Sequence, residues 1–73
     1  SKNKDHLSAV IEYRLALQID PKNGQLHKAL GLEFKDLGDT NSAIAQLLSA
    51  RKLLPADYEV KLALDSLMPK GKN

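Results

Sequence analysis

The sequence predicts an all-α fold, on three observations. Apolar residues recur at helical spacing in four stretches, and nowhere do polar and apolar residues alternate as in a half-buried strand. The stretches are punctuated by Pro21, Gly38, Pro55 and Pro69, each placed where a helix should stop. The chain also repeats itself. Pro21 and Pro55 lie 34 residues apart, and the same offset carries Ala9 onto Ala43, Tyr13 onto Leu47, Ala16 onto Ala50 and Asp5 onto Asp39.

The first helix is expected over about 6–19, with Asp5 as its N-cap and Pro21 disfavouring helical geometry at Asp20. Asn23-Gly24 is turn chemistry, and the second helix follows over about 25–37. Gly38 suits the left-handed position that closes a helix without a Cβ penalty. Asp39 then caps a third helix over about 41–53, which stops ahead of Pro55. Asp57 caps a fourth over about 58–67, and Pro69 ends it. Connections this short make consecutive helices antiparallel neighbours. The expected core stripes are Ala9, Tyr13, Ala16 and Leu17; Leu26, Ala29, Leu30 and Phe34; Ala43, Ile44, Leu47 and Ala50; and Val60, Ala63, Leu64 and Leu67.

Seventy-three residues make one small domain, expected over 5–68, with polar tails at 1–4 and 69–73. There is no cysteine, so no disulfide or thiolate–metal staple supports it. A core of this size is marginal alone. The chain opens on Ser1, and it is expected to be a piece of a longer protein. A formal charge of +2 with few aromatics argues against nucleic acid. No apolar run reaches membrane-spanning length, so no membrane insertion is expected. Absent cysteines leave cytoplasm and periplasm both open, with the cytoplasm preferred.

The spacing His27-x2-Leu30-Gly31-x2-Phe34, then Ala43-x3-Leu47-x2-Ala50, then Pro55, resembles the tetratricopeptide repeat. Residues 24–57 match one full repeat. Residues 5–21 match the second helix of a preceding repeat, and residues 58–68 the first helix of a following one. His27 stands where the family favours Trp, and Leu47 where it favours Phe or Tyr. The resemblance implies an antiparallel α–α superhelix, no catalysis, no cofactor, and binding of a protein or peptide on a concave face lined by the first helix of each repeat. Carried onto this chain, that face comprises Gln25, Lys28, Leu32, Lys35 and Asp36 in the second helix, and Glu59, Leu62 and Ser66 in the fourth. Lys28 and Lys35 flank Leu32, a pattern that suits an acidic, partly apolar peptide. One subfamily grips C-terminal carboxylates with Lys and Asn. Here Leu32 and Ala63 occupy the Asn positions, so that clamp is not expected.

The first helix carries a second apolar stripe, Leu7, Ile11 and Leu15, roughly opposite Ala9 and Tyr13. The equivalents in the third helix are Asn41, Ala45 and Ser49. Either an upstream helix or neighbouring domain covers the stripe, or two copies pair through it as a homodimer. Scattered surface leucines are the third option, which three in register disfavour. Self-association is the preferred expectation.

Residues for chemistry are sparse. His6 and His27 lie on different helices without further ligands at metal-site spacing. The serines lack the His and Asp context of an activated nucleophile, and Asp36 and Asp39 bracket a helix end. The expected function is a non-enzymatic protein-binding module. A spacer or oligomerisation segment of a larger protein is the alternative. A weaker third is an RNA-contacting repeat using Lys28, Lys35 and the basic tail at Lys70 and Lys72.

Overall fold

A computed structural model describes residues 2–69 of the chain. Four helices occupy it: α1 Lys2–Ile19, α2 Gly24–Leu37, α3 Thr40–Leu53 and α4 Tyr58–Leu67. No strand occurs among the described residues. The fold is therefore all-α, as the apolar periodicity predicts.

Each junction is closed by side chains that satisfy helix-end N–H groups. Asn23 Oδ1 accepts from the Leu26 N–H at the start of α2, Asp39 Oδ1 from Ser42 ahead of α3, and Asp57 Oδ1 from Val60 ahead of α4. Gly38 has φ 83°, the left-handed conformation assigned to it. Its N–H donates to the Lys35 carbonyl, and the Asp39 N–H donates to the Phe34 carbonyl. Those two bonds form a Schellman closure. Asp39 thus ends α2 with its backbone and starts α3 with its carboxylate.

Two expectations about helix starts need correction. Asp5 is not the cap of α1, because the helix begins at Lys2 and Asp5 lies in its first turn. Nothing in Lys2-Asn3-Lys4 breaks a helix, so it continues past Asp5, whose charge still suits the positive end of the dipole. Residues 2–4 are therefore not a tail. Ser1 and residues 70–73 lie outside the described residues. Gly24 is not a turn residue either. It opens α2 with Asn23 as its cap, and its φ is not positive. Its lack of a side chain serves packing. A Cβ there would lie 2.7 Å from Leu54 Cγ and 2.9 Å from Leu53 Cβ.

The α2–α3 crossing rests on a second glycine. A Cβ on Gly31 would sit 2.7 Å from Leu47 Cγ and 3.3 Å from the Ala43 carbonyl oxygen. Gly24 meets the end of α3 and Gly31 meets its middle, so the two helices run antiparallel. Ala43, Leu47 and Ala50 are wholly buried along this side of α3. The core continues into α4, where Leu47 and Ala50 pack with Val60, Ala63 and Leu64, flanked by Leu32, Ile44, Leu48 and Leu67. On α1 the buried residue is Val10, which the expected stripe omitted. Ala9, Tyr13, Ala16 and Leu17 are only half-buried.

Substitution at the crossing should therefore be costly. Gly31→Ala pushes a methyl into Leu47 and is expected to destabilise by about 1–3 kcal/mol. Gly38→Ala meets no neighbour but must hold a left-handed backbone, for about 1–2 kcal/mol. Urea unfolding followed by circular dichroism measures both. Equal stability of Gly31→Ala and the native chain would contradict the close approach.

Candidate functional site

Five of the eight residues expected on the concave face come together. Leu32 and Lys35 of α2, with Glu59, Leu62 and Ser66 of α4, line one open depression of about 230 Å³, floored by Ala63. Helical spacing puts Leu32 and Lys35 on one face of α2, and Glu59, Leu62 and Ser66 on one face of α4. Leu62 remains well exposed, although apolar. Gln25 and Asp36 are exposed but lie outside the depression.

Lys28 departs most from expectation. Its ammonium donates at 2.9 Å to Asp57 Oδ2 and lies 2.9 Å from Glu59 Oε1. The hydrogen bond to Asp57, then that to Glu59, raises the Lys28 pKa above the usual lysine value. Asp57 moves the other way. The Val60 N–H and then the Lys28 ammonium hold its carboxylate below the usual aspartate value. Lys28 is thus a tie between the starts of α2 and α4 rather than a waiting cation. Local spacing could not show this, because Asp57 lies 29 residues further along the chain.

The two histidines also bind within the chain. His27 is half-buried and hydrogen-bonded on both ring nitrogens. Nε2 lies 2.8 Å from the Pro21 carbonyl oxygen and Nδ1 lies 2.8 Å from Gln46 Oε1. Pro21 can only accept, so Nε2 carries a proton. A neutral ring then takes the Gln46 amide N–H at Nδ1, with that amide turned over; an imidazolium donates to both oxygens. His6 Nδ1 pairs with Glu33 Oε1, joining the start of α1 to the later half of α2. No spacing rule in the sequence pointed to this pair. Among the described residues, no group of three or more His, Cys, Asp or Glu side chains could hold a metal ion.

The apolar stripe on α1 is exposed and longer than expected. Leu7 is 54% exposed, Ile11 60%, Leu15 56%, and Ile19 extends the row at 88%. The 34-residue offset supplies an internal comparison. α3 has helices packed on both flanks, yet Asn41 and Ala45, the equivalents of Leu7 and Ile11, stay exposed. Ser49 is half-buried, and Leu53, the equivalent of Ile19, is still 38% exposed. A helix stacked before α1 as α2 stacks before α3 would therefore shield part of Ile19 and miss Leu7 and Ile11. It would instead cover Ala9, Tyr13 and Ala16, whose equivalents Ala43, Leu47 and Ala50 are fully buried. Among the described residues, no helix is long and apolar enough to cross a membrane.

No family model, curated protein or solved structure matches the chain.

The Lys28–Asp57 tie has a pH signature. Asp57 has a lowered folded pKa, so its contribution is complete above the unfolded value and is lost as pH falls through the folded one. Asp57→Asn keeps a capping acceptor for Val60 but removes the anion beside Lys28. It should melt a few degrees below the native chain at pH 7. That gap should narrow as pH drops below about 4. Thermal melts at several pH values test this, and a gap unchanged in acid would assign the loss to packing instead.

Proposed function

We propose that the chain is a non-enzymatic interaction module, a short tetratricopeptide-type stack that docks a partner protein or peptide between α2 and α4. The observation that carries this reading is the joint placement of Leu32, Lys35, Glu59, Leu62 and Ser66 on one open, half-apolar depression. The support is geometric. Residues of α2 and α4 line one depression together, and the small residues at the crossing, Gly31 and Ala43, lie where α2 and α3 meet in antiparallel contact. With Lys28 tied to Asp57 and Glu59, the depression offers one lysine and one glutamate across an apolar floor. The ligand is accordingly a segment of mixed charge with an apolar side chain at its centre, rather than a strongly acidic one.

The second reading, oligomerisation, draws on a separate observation. Leu7, Ile11, Leu15 and Ile19 form an exposed row along three turns, much of which a preceding helix would leave uncovered. A second copy, meeting it row to row, buries those side chains in a symmetric contact. The two readings are compatible, since the row and the depression involve different helices.

Selection of displayed random peptides against the chain tests the first reading. Enriched peptides should shift amide resonances of Leu32, Lys35, Leu62 and Ser66, and Leu62→Asp should weaken them by about tenfold. Failure to enrich, or shifts elsewhere, would count against it. Light scattering over a concentration series tests the second. Mass should rise toward twice the monomer, and Ile11→Asp should abolish the rise with helicity intact. A strict monomer at high concentration would end the pairing.

A further inference from the structure

A larger depression lies on another face of α2, between α1 and α3, at about 470 Å³. That volume falls in the range typical of ligand pockets. Its apolar lining comes from Leu17, Leu30 and Phe34, and its polar rim includes Arg14, His27 and Gln46. None of these was expected to form a binding surface. His27, Leu30 and Phe34 are spaced to share one helix face, distinct from the Leu32–Lys35 face. The two depressions are thus separate surfaces.

Their electrostatics differ. The depression beside α4 has both a lysine, Lys35, and a glutamate, Glu59, in its lining, the latter tied to Lys28. The depression beside α1 has Arg14 and no acidic side chain in its lining. Among the described residues, Arg14 takes part in no hydrogen bond or ion pair. Both ring nitrogens of His27 are already engaged, so that ring shapes the wall and leaves the charge to Arg14. A guanidinium with free donors beside the half-buried Leu17 and Phe34 is complementary to a carboxylate adjoining an apolar side chain. The depression is open to solvent, which suits a peptide segment better than an enclosed small molecule.

We infer that the α1–α3 depression is a second peptide-binding site, which takes a partner segment with aspartate or glutamate next to leucine-like side chains, the carboxylate on Arg14 and the apolar groups on Leu17 and Phe34, above the buried Leu30. The site does not rest on the α2–α4 reading, and either can fail while the other stands.

The test uses an acetylated, amidated leucine–aspartate–leucine tripeptide, with its asparagine counterpart as control, titrated into the ¹⁵N-labelled full chain. Amide shifts should cluster on Leu17, Leu30, Ala45 and Gln46. The asparagine peptide should bind about fivefold more weakly, the scale of a partly exposed ion pair. Arg14→Gln should erase the difference between the two peptides, while Arg14→Lys, which keeps the charge, should retain most of it. Arg14 is exposed, so neither variant is expected to disturb folding. Equal binding of both peptides to the native chain overturns the inference. So does an absence of shifts, a cluster on Leu32 and Leu62, or shifts at these residues that follow protein concentration without peptide and so report a second copy.

Discussion

The fold depends on the absence of a side chain at Gly31. Leu47 fills the volume a Cβ would need there, and Leu47 in turn belongs to the cluster that holds α4. One missing methyl therefore sets how closely α2 and α3 approach, and through Leu47 it sets where α4 can lie. Gly24 acts likewise at the other end of the same crossing, where Leu53 and Leu54 close over it. Two such points along one helix fix both separation and angle, since a helix pinned at two places cannot rotate about either.

Charge does a different kind of work. Lys28 is nearly covered and pairs with two acids that belong to the start of α4. Asp57 meanwhile caps α4 by accepting from Val60. The same carboxylate therefore begins a helix and ties it to α2. The arrangement removes one cation from the face that sequence spacing made basic, and leaves the α2–α4 depression close to neutral. Arg14, by contrast, has no such tie, and lends a positive edge to the opposite depression.

Features governed by near neighbours were legible in the sequence. The caps at Asp39 and Asp57, the left-handed Gly38 and the ends set by Pro21 and Pro55 all follow from backbone chemistry within a few residues. Asp5 is ambiguous in sequence because a good capping residue also makes a good first-turn residue, and nothing in Lys2-Asn3-Lys4 stops the helix. Val10 was missed although the repeat offset pairs it with Ile44, itself expected in the core. The offset alone therefore places Val10 in the core. The Lys28–Asp57, His6–Glu33 and His27–Gln46 contacts depend on helices brought together from 19 to 29 residues apart, so no local pattern encodes them. The α1–α3 depression was invisible for the same reason, being a space between three elements rather than a property of any one.

The joint between α2 and α3 has no slack. Asp39 belongs to both helices at once, by its N–H to Phe34 and its carboxylate to Ser42. An inserted residue there would turn α3 by roughly 100° about its axis, carrying Ala43 and Leu47 away from Gly31 and bringing a polar flank into their place. That corner is the shortest of the three joints, since the connectors at 20–23 and 54–57 have four residues each.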